Sequence, residues 1–361
     1  MTHFKVLRWL GLSVVWLLLL PVNSQALIID HTCTDISQIP VYWINQVKSA
    51  LRIHYAHTSH GGQITEGLER LSNADPTYSY YPDNCTVPVT TTHLSLMDGQ
   101  YHDGYCDTYI GPELYWQGDA AMDITRSVLT RFDVNISLWA WCTQLNDYSQ
   151  SEVQVYLDNI AQLENEFPDI TFVYMTGNAQ SEGNQNRYNR NEQIRAYCRD
   201  HNKSLFDFAD LDCWYNGVQH TIDGIPSEHP QYEDDYGPGH TTYESCENKA
   251  RAFWWLLARI AGWNPSATVF YVHPNGTCNG MSTCYTNIRD AMTAAGDGIE
   301  IRVAGRSFNE APTKGSTGTV TLTGGWNDAF TERTGTTEMY APVVTGGAIL
   351  NLQPNIRLVA P

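Results

Sequence analysis

The reading of this chain turns on the stretch Ala50-Leu51-Arg52-Ile53-His54-Tyr55-Ala56-His57-Thr58-Ser59-His60-Gly61-Gly62-Gln63-Ile64. Its first half alternates and carries aromatic rings, the pattern of a strand. From Gln63 to Leu71, the residues Ile64, Leu68 and Leu71 recur at helical spacing. A strand that ends in a polar turn and continues as a helix sets the Ser59 hydroxyl at the carboxyl edge of a sheet. Open α/β folds bind ligands along that edge, and a helix N-terminus there adds donors suited to a developing anion.

On the N-terminal side, Ile39 to Ala50 reads as a helix with Pro40 near its start. Before it, Lys5 and Arg8 precede an apolar run from Trp9 to Leu20, then Pro21 and small residues to Ala26. This is the layout of a signal peptide over residues 1–26, too short for a membrane span. The expected location is secreted, periplasmic or at the cell surface, with no membrane span once the leader is removed. The nine cysteines of such a chain imply disulfides, and their odd number leaves one thiol over.

On the C-terminal side, residues 73–115 are rich in Tyr, Pro, Asp, Thr and Gly and read as a long irregular insertion. Cys85 and Cys106 lie inside it, and a bond between them would staple the loop. A helix then runs from Ala120 to Phe132. The apolar strand Val134 to Trp141 follows, the pattern of a sheet covered on both faces. Next come a helix from a Ser151 cap to Phe167, a strand Ile170 to Met175 and a helix Asn191 to His201. A strand Ser204 to Phe208 and a helix Tyr243 to Ala261 complete the series. Strands alternating with helices predict an α/β fold with a parallel sheet. After Pro265 the composition shifts to short β-type runs rich in Gly and Thr, with one helix over Thr286 to Ala295. The expected division is a domain over 27–264 and a small β-rich module over 267–361, with Cys278 and Cys284 bonded across a tight loop.

The formal net charge of -18 becomes -20 without the leader, which holds two cations and no acids. A surface this acidic repels phosphate backbones, so nucleic acid is not an expected partner. The 12% aromatic content suits sugar-like ligands. Along the sheet edge the sequence places Ser59, Gly118, Gln144, Asn146, Asn178 and His240, a set with a nucleophile, a base and neutral donors. No cofactor or metal is expected. His54, His57 and His60 are spaced three apart, but strand geometry turns His54 and His57 to opposite sides, and His54 reads as a core histidine. Cys142 lies near the edge but has no base beside it in sequence. Trp139, Trp141, Trp254 and Trp255 read as core.

In the order of these elements, residues 40–262 resemble the SGNH (GDSL-like) hydrolase superfamily. Tyr55-Ala56-His57-Thr58-Ser59-His60-Gly61, Phe172-Val173-Tyr174-Met175-Thr176-Gly177, Phe206-Asp207-Phe208-Ala209-Asp210 and Trp254-Trp255-Leu256-Leu257-Ala258-Arg259 look like a divergent exported group within it. The resemblance implies a flavodoxin-like three-layer α/β/α sandwich and hydrolysis of a small-molecule or carbohydrate ester. It implies Ser59 as nucleophile, His240 as base and Asp235 as its orienting acid. The Ser59 amide, Gly118, Gln144 and Asn178 would hold the oxyanion. From its own place beside the nucleophile, His60 is a candidate to contact substrate or to stand in as base, and Tyr101 of the insertion is a candidate to stack on a sugar. Departures are plain. His57-Thr58-Ser59 stands for Gly-Asp-Ser, and Cys142-Thr143-Gln144 for the Gly-x-Asn-Asp block, with Asn146-Asp147 a rival two residues on. Gly237 lies where an Asp three before His240 is usual, which leaves Asp235 and Asp234. The departures support a rival, a carbohydrate-binding or adhesin protein on a degenerate hydrolase fold. The C-terminal part, through Ile299-Glu300-Ile301-Arg302-Val303 and Val320-Thr321-Leu322-Thr323-Gly324-Gly325-Trp326, resembles the opening of a right-handed parallel β-helix.

Overall fold

The computed structural model describes residues 26–361 apart from Ala267 and Ser316. The expected leader, save Ala26, lies outside the described residues. Strand β1 (Ile28–Ile29) and helix α1 (Val41–Ala50) lead into β2 (Arg52–His57) and α2 (Gly62–Ala74). Then come β3 (Tyr80–Asp83), β4 (Leu94–Asp98), α3 (Asp119–Arg131), β5 (Ile136–Ala140), α4 (Gln150–Glu166) and β6 (Thr171–Met175). Helix α5 (Gln185–Asp200), strand β7 (Ser204–Phe206) and helix α6 (Tyr243–Ile260) close the unit. The strands form one parallel sheet in the order β1-β7-β6-β5-β2-β4-β3.

Every residue of β5 is buried, as its apolar run predicts for a strand covered on both faces. One helix group, α1, α2 and α6, packs together, and α3, α4 and α5 form the other. The stripe Ile64, Leu68 and Leu71 of α2 is buried, as its spacing requires. Gly67 sits on the same helix where a Cβ would come within 2.0 Å of the Cys246 carbonyl oxygen on α6. The close approach of these two helices therefore depends on a residue without a side chain.

Four expectations change. Residues 73–115 are not wholly irregular, because they supply β3 and β4. Pro82 and Asp83 hide the first from a propensity reading, and an edge strand tolerates proline. The N-cap of α4 is Ser149, which with Glu152 forms a capping box, so Ser151 is not the cap. Helix α5 begins at Gln185, six residues before Asn191, with Asn184 accepting the Arg187 N–H at 2.9 Å. Its first two buried residues are Arg187 and Asn191, so the apolar signature of its inner face begins only at Ile194. Finally, β1 extends the sheet by a two-residue strand beside β7.

From Val269 a second parallel sheet stacks Cys284–Tyr285, Val269–Val272, Ile299–Ala304, Gly318–Trp326 and Ala348–Leu352 in that order. Thr313–Lys314 with Val343–Val344, and Thr337–Tyr340 with Ile356–Val359, are parallel pairs as well. The register aligns Ile301, Leu322 and Leu352 in one row. The first two are fully buried, and Leu352 on the outermost strand is 40% exposed. Tyr285 packs its ring 5.3 Å from Tyr42 and 6.1 Å from Trp43 of α1, so one apolar cluster runs through both parts. The expected disulfides, Cys85–Cys106 and Cys278–Cys284, are both present.

Gly67→Ala should destabilise the protein by about 1–3 kcal/mol, the usual cost of forcing extra volume into a packed contact. Chemical denaturation checks this, and an unchanged midpoint would show that α2 and α6 separate freely.

Candidate active site

Strand β2 pairs with β5 so that His57 lies opposite Ala140. The residues just beyond the two strand ends, Ser59-His60 and Cys142, are therefore neighbours. Two side chains hold the turn that carries Ser59 and His60. The Tyr55 hydroxyl donates to the Gly61 carbonyl at 2.8 Å. His57 Nε2 meets Asp98 Oδ1 at 2.7 Å, and its Nδ1 meets the Thr58 carbonyl at 2.6 Å. Gly61 fits under this clamp only because it has no Cβ, which would come within 2.3 Å of the His57 Cβ.

At the turn His60 Nδ1 lies 2.9 Å from Cys142 Sγ, and Ser59 Oγ lies 3.3 Å from the same sulfur. Burial raises the affinity of the thiol for its proton. The hydrogen bond and charge of His60, with the Ser59 hydroxyl and the Thr143 N–H, outweigh burial and bring the Cys142 pKa down to about 6. Gln144 fixes the Cys142 backbone, its Oε1 accepting the Cys142 N–H at 2.7 Å. The His240 ring lies tilted 5.1 Å from that of His60. Its Nδ1 faces the Asp235 backbone carbonyl at 3.4 Å. His240 also adopts φ 65, a left-handed conformation uncommon for a side-chain-bearing residue. Gln63 on α2 donates to the Gly239 carbonyl at 2.7 Å and so ties this loop to the Ser59 turn.

These groups line a cavity of about 350 Å³ with Thr143, Gln180, Ser181, Glu182 and Glu228. Gln180 accepts from Asn146 at 2.7 Å and also from Arg187, whose other nitrogen reaches the Glu182 carbonyl at 2.7 Å. The buried pair Lys249–Asp212, at 2.7 Å, fixes the same wall, since Asp212 accepts the Ala179 N–H at 2.8 Å. Burial and then the Asp212 charge raise the Glu228 carboxyl to about 8, with Lys249 and the Thr241 hydroxyl opposing them. Glu228 is thus a neutral acid at the floor of the cavity below that pH.

Compared with family models, curated proteins and solved structures, this chain matches none. Its site rests on its own geometry.

Of the residues expected at the site, Ser59, His60, Asp235 and His240 line one cavity. The expected contacts among them differ. Ser59 Oγ is hydrogen-bonded to Cys142 rather than to His240, and Asp235 meets His240 through its backbone, not its carboxylate. Gly118, Gln144, Asn178 and Tyr101 are not among the lining residues. The Gly118 N–H is spent on the Trp116 carbonyl at 3.0 Å. Asn178 is buried and donates to the Ala179 carbonyl. Tyr101 stacks under the Arg131 guanidinium at 4.4 Å. The three histidines of the organising stretch serve three different partners. His54, packed against Ser137 at 3.0 Å, is driven neutral by burial, to about 3, with the Gln100 side chain opposing.

Cys142 has no base beside it in sequence, but the fold brings the His60 imidazole to 2.9 Å from its sulfur. The signal was present in the topology. If the first strand of a parallel sheet neighbours the strand ending at Ala140, the residues after each strand must meet.

A second cavity, of about 440 Å³, is lined by Asp30, Arg187, Arg195, Asp207 and Asp210 among others. Its charges are largely paired, Arg195 gripping Asp207 with both nitrogens at 2.6 Å, so it reads as a structural network. Asp30, His31 and Asp210 could hold a metal ion, though His31 and Asp210 already bond each other.

Because the Glu228 pKa is higher folded than unfolded, its contribution to stability is full in acid and is lost as the pH rises toward about 8. Glu228→Gln removes that loss. The melting temperature of the variant relative to the parent should therefore climb between roughly pH 5 and pH 8. A difference that does not vary with pH would show that Glu228 ionises normally.

Proposed function

We propose that this chain is an exported hydrolase that cleaves an ester by acyl transfer, the acyl group carried on a carbohydrate or similar neutral molecule. The observation that carries the reading is the Cys142–His60 hydrogen bond of 2.9 Å within one further hydrogen bond of Ser59, in a polar cavity at the carboxyl edge of a parallel sheet. A nucleophile bonded to a base, with donors around it, is what acyl transfer needs. The lining of Thr143, Gln180 and Ser181 suits a substrate rich in hydroxyls. The acidic surface suits a neutral one.

Several features support the resemblance to SGNH hydrolases over residues 40–262, within an expected domain over 27–264. The five central strands run β4-β2-β5-β6-β7, the flavodoxin-like order. Ser59 follows the first of them, and His240 precedes the last helix of that unit and lines the same cavity. Export is supported by the two disulfides. Among the described residues no helix is long and apolar enough to cross a membrane. The parallel stacking of 299–304, 318–326 and 348–352 supports a β-helix-like module over 267–361 that would contact carbohydrate or act as a spacer.

A second reading, a carbohydrate-binding or adhesin protein on a degenerate hydrolase fold, is favoured by one observation. The Ser59 hydroxyl is hydrogen-bonded to no histidine among the described residues. Steady-state assay on a panel of chromogenic acyl esters and acylated sugars separates the two. Saturable turnover is expected, falling by at least roughly 10³-fold in Ser59→Ala/Cys142→Ala. Absence of turnover, with sugar binding retained, would favour the binding protein.

A further inference from the structure

Ser59 and Cys142 compete for one role in this cavity, and their surroundings differ. Ser59 Oγ lies 3.3 Å from the sulfur, a contact in which either group can donate, so the hydrogen-bond partner of the serine here is the thiol and not an imidazole. Cys142 Sγ is bonded directly to an imidazole nitrogen, His60 Nδ1. Both partners donate to the sulfur when it is ionised, which is the environment that lowers a thiol pKa. A thiolate needs no deprotonation before attack and is intrinsically the stronger nucleophile. Burial does not shut the sulfur away, since Cys142 is half-buried and lines the cavity wall. Cys33, Cys198, Cys213 and Cys246, the other free cysteines, line no part of this cavity, and burial raises the pKa of each.

We propose that Cys142, with His60 as its acid and base, is the nucleophile of this site, and that Ser59 is a donor that orients the sulfur. This rests on the acyl-transfer reading above. In the first half-reaction the thiolate attacks the acyl carbon and forms a C–S bond, and the carbonyl pair moves onto oxygen. As the tetrahedral centre collapses the C–O bond breaks, and the leaving alkoxide takes the proton from His60 Nδ1. This leaves a thioester, a free alcohol and a neutral imidazole. In the second half-reaction water attacks the thioester and gives one proton to His60. The C–S bond breaks, and the thiolate–imidazolium pair returns with release of the carboxylic acid. No oxidant, reductant or further reactant enters. Within the pair, the 3.3 Å contact lets the Ser59 hydroxyl hold the sulfur toward the cavity.

The experiment is acid quench of the native chain during turnover of an activated acyl ester, followed by peptide mapping of the adduct by mass spectrometry. A thioester at Cys142, cleaved by neutral hydroxylamine, is expected. In parallel, Cys142→Ser should lose roughly 10³-fold or more in kcat/KM and His60→Ala about 10²–10⁴-fold, whereas Ser59→Ala should lose only about tenfold. Mapping on the native chain needs no variant to fold. Turnover with the acyl group on Ser59, or with Ser59→Ala dead and Cys142→Ser within a few-fold of the parent, would overturn the assignment and leave the hydrolase reading intact. No turnover and no adduct on either residue would overturn both.

Discussion

The pairing of β2 with β5 is the constraint on which the site depends. With His57 opposite Ala140, two strands distant in sequence end side by side, and the turn after one faces the residue after the other. A slip of one residue would send alternate side chains to the wrong face of the sheet. It would also break His54 from Ser137, a buried pair in that register. The Ser59 turn is held from below by Tyr55 and His57 and from the side by Gln63. The backbone of Cys142 is held by Gln144. Preorganisation of this kind lets a polar cluster persist in one geometry instead of reorganising when a substrate arrives.

Charge buried around the cavity is the second constraint. Lys249 and Asp212 are almost wholly removed from water, and such a pair survives only with close geometry and further hydrogen bonds. Asp212 has one in the Ala179 N–H, so the ion pair also fixes the strand-to-loop exit that leads to Gln180. With Lys249 paired to Asp212, its pull on Glu228 does not offset burial and the Asp212 charge, and Glu228 is protonated below about pH 8. The lining of the cavity thus sets a neutral acid and the Gln180 amide beside Glu182, Asp235 and the Cys142–His60 pair.

Much of the fold was legible in the sequence. Apolar runs such as Ile136–Ala140 and stripes such as Ile64, Leu68 and Leu71 announce buried strands and an amphipathic helix, because burial leaves a periodic record. Strands β1 and β3 were not legible, being short or proline-bearing edges. The start of α5 was not either, since its inward face is filled by Arg187 and Asn191. Ser59, His60, Asp235 and His240, expected together from motif and position, do line one cavity. Cys142 was discounted because its base lies 82 residues away in sequence. Gly118 and Asn178 read as site residues from position along the edge, and Tyr101 as an aromatic of the 73–115 insertion. Local hydrogen bonds and the Arg131 contact, which sequence does not record, turn them to other tasks.

The ionisation of Cys142 is the central physical claim, and ultraviolet difference absorbance of the thiolate measures it directly. The native chain is titrated against Cys142→Ser, with His60→Ala as the second comparison. Burial lifts the other free thiols out of the acid range, so they do not obscure the signal. His60, Glu182, Glu228, Asp235 and His240 are the titratable groups that line the cavity with the sulfur, and Ser59, Thr143, Gln180 and Ser181 are its neutral polar groups. Among them His60 is the one whose hydrogen bond and charge lower the pKa most. The account predicts a midpoint near about 6 that moves above the ordinary thiol value of roughly 8.5 when His60 is removed. A native midpoint at or above that ordinary value, or one indifferent to His60→Ala, would contradict it.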